Sequence, residues 1–462
     1  MKYISTRGGG SPQSFEQVLL AGLAPDGGLY VPAEWPKLNL AKLKSKSYVE
    51  IAEAVIAPFV EENIDRATLR KILNETYGPD VFRHKDVVPL HKIYDNIYAL
   101  ELFHGPTIAF KDVALQFLGR LFDHVLSKKN RDVTIVGATS GDTGSAAIEG
   151  CYRSDHVKIF ILHPKGRVSD VQRRQMTTVK AGNVHNIALE GTFDDCQNAV
   201  KDMFNDAKFR GEMNLSAVNS INWARIVAQI VYYVTTALEL GAPDKEVTFV
   251  VPTGNFGNVF AGYCARQMGL PIKLAISTNR NDILARFFEN GAMKSEETVA
   301  SLSPSMDIQI SSNFERYLFD LFGRNAAKLS SVMKEFKDTG KFSVSAALME
   351  KARAEFSAYR ADDAETLATI KKIFTENNYT LDPHTAVGVK AALEIEKTAK
   401  GPVVILATAH PAKFPDAVEK ATGKRPALPA HLSDLLSRKE QLTVLPNNLK
   451  TLKEFVRKNA QN

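Results

Sequence analysis

Twice along this chain a short run of β-branched residues ends in a glycine-rich loop and then turns helical. The first instance is Asp132–Val136, followed by Gly137-Ala138-Thr139-Ser140-Gly141-Asp142-Thr143-Gly144 and the helical stretch Ser145–Tyr152. The second is Val247–Val251, then Pro252-Thr253-Gly254-Asn255-Phe256-Gly257-Asn258 and a helix from Val259 to Met268. Further strands are expected at Val157–Leu162, Ile272–Ser277 and Pro402–Leu406. Strands alternating with helices predict an α/β fold with a mainly parallel sheet, whose ligands bind beyond the C-terminal strand ends. A helix opening on such a loop offers unpaired N–H groups and the positive end of its dipole to an anion. Neither loop ends in the Gly-Lys-Ser/Thr of a nucleotide-phosphate loop, and neither has the GxGxxG spacing of a dinucleotide site. Ser140 lacks the G-x-S-x-G elbow of a hydrolase nucleophile. Each loop alone reads first as a tight strand-to-helix turn. The pair predicts two anionic groups bound close together.

A length of 462 residues allows two or three domains at roughly 100–200 residues each. Ser14-Phe15-Glu16-Gln17 is a capping-box pattern opening a short helix. A strand at Tyr30–Pro32 and helical pattern over 47–77 follow, and an N-terminal domain is expected to end near Pro89. Residues 283–380 read as mostly helical. Near the C-terminus, Leu449, Leu452 and Val456 lie at helical spacing among Lys450, Lys453, Arg457 and Lys458, which predicts a docked amphipathic helix. With 44% hydrophobic and 24% charged residues the composition is that of an ordinary soluble globular protein. The net charge of +6 is a mild excess, and no Lys/Arg run interleaved with aromatics suggests a nucleic-acid surface. Cys151, Cys196 and Cys264 are far apart and fit reduced core thiols rather than a disulfide framework or a metal site. No apolar leader and no membrane-length apolar run is visible, so a cytoplasmic protein without membrane partners is expected.

A third segment, Phe103-His104-Gly105-Pro106-Thr107-Ile108-Ala109-Phe110-Lys111-Asp112, runs from a Gly-Pro turn into a helix. The helix carries an apolar stripe at Phe110, Ala114, Phe117, Leu118 and Leu121. Lys111 sits one residue off that stripe, in the first turn, where a cation is mismatched to the helix dipole. That mismatch is mildly unfavourable for structure. It helps a lysine that must react as the neutral amine, because burial and positive neighbours lower its pKa.

These segments together resemble the threonine synthases, within the fold-type II family of pyridoxal-phosphate enzymes. The resemblance runs from Ser5-Thr6-Arg7-Gly8 to about Lys424 and includes Asp382-Pro383-His384-Thr385-Ala386 and Thr408-Ala409-His410-Pro411-Ala412-Lys413-Phe414. It implies two mainly parallel-sheet α/β domains with an added N-terminal domain and helical insertion. Residues 1–89 would be the N-terminal domain and 90–428 the catalytic region of two intertwined subdomains. The insertion lies at about 283–380, and 429–462 form a helical tail. Lys111 matches the lysine that carries the cofactor, pyridoxal 5′-phosphate. Gly254, Asn255, Phe256, Gly257 and Asn258 match the loop that holds the cofactor phosphate. Thr139, Ser140, Gly141, Asp142 and Thr143 match the loop that receives the substrate α-carboxylate, and Thr408 matches the residue facing the ring nitrogen.

An ionised Asp142 beside the cofactor's 3′ oxygen would repel it, so Asp142 is expected to cap the following helix. His104 is a candidate substrate contact, while His384 and His410 are expected to serve loop structure. Asp382 and Pro383 read as N-cap and first residue of a helix. Arg7, Lys165, Arg280 and Lys413 are candidate cations for a substrate phosphate. The reaction implied is conversion of O-phospho-L-homoserine and water to L-threonine and phosphate, the last step of threonine biosynthesis. A phospholyase releasing a 2-oxo acid from the same substrate is the nearest rival, and a non-catalytic cofactor-binding protein a remote one. No metal is implied.

Overall fold

The computed structural model describes residues 1–460. Two sheets form its frame. The larger has six strands in the order Phe356–Arg360, Ile272–Thr278, Val247–Pro252, Val403–Ala407, Ile97–Glu101 and Leu90–Lys92. All neighbours in it are parallel except the last pair. The other has five parallel strands in the order Thr443–Pro446, Val184–Glu190, Val157–Pro164, Val133–Ala138 and Leu215–Ser216. Parallel strands are covered on both faces and therefore read as continuous apolar runs. Every residue of Val247–Pro252 and of Val403–Ala407 is buried, as that rule requires.

The Ser14 capping box, the Tyr30–Pro32 strand and the free, buried state of all three cysteines agree with the sequence reading. The pattern over 47–77 divides into helices Tyr48–Val60 and Arg66–Tyr77, because Asp65 caps the second by accepting the Thr68 N–H. Residues 283–380 are not wholly helical. They add an antiparallel pair, Ala292–Lys294 with Lys341–Ser343, and the strand Phe356–Arg360 that extends the larger sheet. That strand shows no clean alternation, since only Phe356 is fully buried. The C-terminal helix Leu449–Ala460 docks as expected, with Leu452 and Val456 buried in the core beside the five-stranded sheet. Lys453 and Arg457 pair with Asp206 and Glu212 at its edge. Among the described residues no helix is long and apolar enough to cross a membrane.

The helix Lys111–Lys129 is buried over most of its length and packs against Asp142–Cys151 and Trp223–Glu239. The first contact is made by glycines: a Cβ on Gly119 would stand 1.8 Å from the Gly150 carbonyl oxygen, and one on Gly150 2.4 Å from that of Leu115. Backbone cannot yield as a flexible side chain does, so both positions fix how Lys111 sits against the 139–143 loop. Gly119→Ala is expected to lose about 1–3 kcal/mol of stability, seen as a lower urea midpoint. Gly211→Ala, where an added Cβ meets nothing within 4 Å, should not lose stability. Equal midpoints for the two variants would contradict this packing.

Candidate active site

Backbone pairing brings the Lys111 segment to the end of strand Val403–Ala407. Leu102 N–H donates to the Ala407 carbonyl, Phe110 N–H to Thr408 at 2.8 Å, and His410 N–H to Ile108 at 3.0 Å, around an antiparallel bridge between Ala109 and Ala409. Lys111 therefore begins its helix beside Thr408. Thr408 is buried, and its own N–H donates to the Thr385 hydroxyl. Thr385 in turn donates to Asp382, which caps the helix Pro383–Ile395 with Pro383 in its first turn.

The 139–143 loop ends strand Val133–Ala138 and opens the helix Asp142–Cys151. Gly141 has φ +137°, and a Cβ there would also press into the Gln172 side chain at 2.6 Å. Only glycine fits both demands. The Thr139 hydroxyl oxygen accepts the N–H groups of Gly141 and Gly144, at 3.0 and 2.9 Å. Thr139 thus does the capping that the sequence had assigned to Asp142. Asp142 is the first helical residue, and its side chain makes no cap bond because it points into a buried cluster of donors. Its Oδ1 accepts from Gln172 Nε2 at 2.9 Å and pairs with Lys413 Nζ at 3.1 Å. Its Oδ2 accepts from the Ser305 hydroxyl at 2.9 Å and faces Lys111 Nζ at 3.4 Å. Burial opposes ionisation of Asp142, but Lys413, Lys111 and His384 outweigh it and hold the carboxyl well below its usual range.

Lys413 is fully buried, and its ammonium also donates to the Thr107 carbonyl at 2.9 Å. It is the closer counter-ion of Asp142. Lys111 makes the longer contact, and burial, with the charges of Lys413 and Arg225, draws its pKa down although Asp142 opposes them. A lowered pKa is what a lysine nucleophile requires. Arg225, on the helix Trp223–Glu239, is 3% exposed. Its only side-chain hydrogen bond is a long one of 3.5 Å to the Val218 carbonyl, and its Nε has no partner among the described residues. Burial pulls its guanidinium down to about 10.

The second loop lies at the end of strand Val247–Pro252. Phe256 adopts φ +61°, and no side chain caps the helix Gly257–Gln267, so its first N–H groups remain available. The loop carbonyls are tied back instead: the Ser311 hydroxyl donates to Gly254, and Asn313 donates to Asn255 through both its backbone and side-chain nitrogens. Asn258 accepts from the Tyr232 and Tyr233 hydroxyls through Oδ1, leaving a buried Nδ2 without a partner. The turn at Ser305 links both loops, since its hydroxyl reaches Asp142, its N–H donates to His384 Nε2, and its carbonyl would lie 3.0 Å from a Cβ on Gly254.

The structure therefore brings together Lys111, the 139–143 loop, the 254–258 loop, Thr408 and Lys413. It does not bring the other candidate cations to them. Arg7 is engaged by Glu315, Lys165 by Glu190, and Arg280 lies on the surface. His104 is held by Glu101 at 2.7 Å, which also accepts from Tyr379. His410 accepts the Ala412 N–H, and burial pushes its pKa down to about 4, so both His410 and His384 serve loop geometry. Gln172, Ser305 and Arg225 carry no sequence motif and were missed. A signal existed only for Arg225, a charge within an otherwise apolar helical stretch.

Comparison with known proteins matches three family models in order. These are threonine synthase N terminus over residues 2–77, pyridoxal-phosphate dependent enzyme over 86–335, and threonine synthase C-terminal over 385–456. The chain is 56% identical to the threonine synthase of Pseudomonas aeruginosa over 99% of its own length and 98% of the relative's. It superposes on the crystal structure of pyridoxal-phosphate-bound threonine synthase from Brucella melitensis with a TM-score of 0.97, at 54% identity and full coverage of both chains. On the yeast threonine synthase structure the TM-score is 0.94 at 41% identity, covering 100% of this chain and 99% of that one. The site fits the cofactor of these proteins: an uncapped helix end and the free Asn258 Nδ2 suit its phosphate, and a buried amine of lowered pKa suits its aldehyde. The chain belongs to the threonine synthase family of pyridoxal-phosphate-dependent enzymes.

Proposed function

We propose that this chain converts O-phospho-L-homoserine and water to L-threonine and inorganic phosphate. The observation that carries the proposal is Arg225, a buried guanidinium near Lys111 with no carboxylate partner among the described residues. A buried, unpaired charge costs several kcal/mol unless a ligand compensates it. The cofactor phosphate has the 254–258 loop and the substrate carboxylate the 139–143 loop. Arg225 supplies the cation for a third anion, the substrate's γ-phosphate, and a guanidinium matches phosphate geometry. Lys413, neutralised by Asp142, holds the loop in place.

Bound at this site, pyridoxal phosphate supplies an electron sink for carbanions at the substrate's Cα and Cβ. Lys111 Nζ accepts the Cα proton and returns it at the end, a role its lowered pKa favours. Thr408, buried beside Lys111, would present its hydroxyl to the ring nitrogen, where a carboxylate would hold a full positive charge. The ring is thus activated only weakly, so more of the burden falls on Lys111 and on the amides of Thr139–Thr143. Asp142 does not receive the substrate carboxylate; its own charge keeps Lys413 and the loop fixed. A Cβ proton is lost as phosphate leaves from Cγ, Cγ takes up a proton, and the hydroxyl of water then adds at Cβ. The same proposal places an N-terminal domain at 1–89, the catalytic region at 90–428 and a tail at 429–462. It also places the enzyme in the cytoplasm, where its three buried thiols stay reduced.

Incubating the purified holoenzyme with O-phospho-L-homoserine should yield L-threonine and phosphate in equal amounts. Phosphate accompanied by 2-oxobutyrate would overturn the synthase reading in favour of a phospholyase. Arg225→Gln should raise KM for the phosphorylated substrate by roughly 10- to 100-fold, the loss of a charged hydrogen bond, while cofactor uptake stays unchanged. Arg225→Lys should recover part of that loss. An unaltered KM in Arg225→Gln would remove Arg225 from the phosphate site.

A further inference from the structure

Beside the Pro106–Thr107 turn the chain forms a cavity of about 220 Å³ that none of Lys111, Asp142, Lys413 and Thr408 lines. Its walls come from the helix Asp142–Cys151, the helix Asp170–Thr177 and the C-terminal segment around Leu435. It is smaller than the ~300–1,000 Å³ clefts that take drug-sized ligands, so its size suits a small metabolite.

The polar groups in it are unevenly matched. Glu149 forms no hydrogen bond or ion pair with any described residue, and burial, reinforced by Asp112, pushes its carboxyl up to about 7. Gln175 is 4% exposed; its Nε2 donates to the Thr107 carbonyl at 3.0 Å, while its Oε1 has no partner. Two cations line the same cavity, and one of them, Arg438, acts electrostatically on Glu149. Arg438 is held through Nε and Nη2 by Asp434 and the His431 carbonyl, leaving Nη1 available. Lys180 is exposed at the rim and makes no ion pair among the described residues. Pro106, Val179 and Leu435 supply aliphatic surface to the same cavity.

We propose that this cavity is a second small-molecule site, which binds a free aliphatic α-amino acid. The ligand's ammonium meets Glu149 and Gln175 Oε1, its carboxylate meets Lys180 and Arg438 Nη1, and its side chain lies on the aliphatic wall. A dipolar ligand offers donors to the free Glu149 and Gln175 acceptors and acceptors to Lys180 and the free Arg438 Nη1, which neither an amine nor an acid alone does. The site touches the catalytic centre through one residue. The Thr107 carbonyl accepts from both Gln175 and Lys413, and Lys413 holds Asp142 beside Lys111. Thr107 also binds Asp112, the neighbour of Lys111, through its N–H and its hydroxyl. Occupancy that moves Gln175 is felt at Lys413, so the ligand is an effector of turnover.

The test is calorimetric titration of the holoenzyme with L-valine, L-leucine and L-isoleucine, after borohydride has fixed the cofactor to the protein so that amines cannot exchange onto it. At least one probe should bind saturably to the unsubstituted chain. Its affinity should fall about tenfold in Glu149→Gln and in Lys180→Ala, as expected for losing one charged hydrogen bond. Turnover without added amino acid should stay within twofold in both variants. Lys180→Ala alters only an exposed side chain, so it stays informative if Glu149→Gln folds poorly. No binding by any of the three probes would overturn the proposal, as would binding of equal strength in the unsubstituted chain and both variants. Binding is read without turnover, so failure here leaves the proposed reaction untouched.

Discussion

One buried carboxylate keeps this site together. Asp142 lies at the start of a helix, nine-tenths enclosed, and takes four donors from four separate parts of the chain. Without it Lys413 and Lys111 would be two buried ammonium groups a few ångströms apart, an arrangement that low-dielectric surroundings do not tolerate. The contacts are unequal, and the inequality is chemically useful. Lys413 at 3.1 Å also donates to the Thr107 carbonyl, whereas Lys111 at 3.4 Å faces the same oxygen as Ser305. In the proposed reaction this inequality makes Lys413 the structural partner of Asp142 and Lys111 the reactive amine.

The frame exists to bring those donors to one point. The 139–143 loop ends a strand of one sheet and the 254–258 loop a strand of the other, and the Lys111 helix packs on the helix that the first loop opens. The bridge between Ala109 and Ala409 fixes Lys111 against Thr408, and the Gly119–Gly150 contact fixes the helix against the Asp142 helix. Ser305 comes from the stretch that also supplies the edge strand of the larger sheet, and it ties that stretch to Asp142 and His384.

Much of this was legible in the residues. The strand–loop–helix pattern located both glycine-rich loops and the parallel sheets because backbone geometry imposes those periods locally. Lys111 could be placed in a first helical turn for the same reason. What could not be read was which side chains converge from afar. Asp142 looked like a helix cap because its local position suits one, and only tertiary packing shows Thr139 doing that work while Asp142 turns inward. Lys413 stood among four equal candidates until burial singled it out, and Gln172, Ser305 and Arg225 have no local pattern at all. Phe356–Arg360 was missed since an edge strand with one buried residue carries almost no periodic signal.

On the proposed reading, burial and two neighbouring cations make Lys111, and not Lys413, the reactive amine. Borohydride reduction of the protein saturated with pyridoxal phosphate, followed by peptide mapping of the fixed chromophore, decides between the two lysines. One pyridoxyl group is expected, on the peptide containing Lys111, with Lys413 unmodified. A label on Lys413, or a protein that takes up no cofactor, would contradict it.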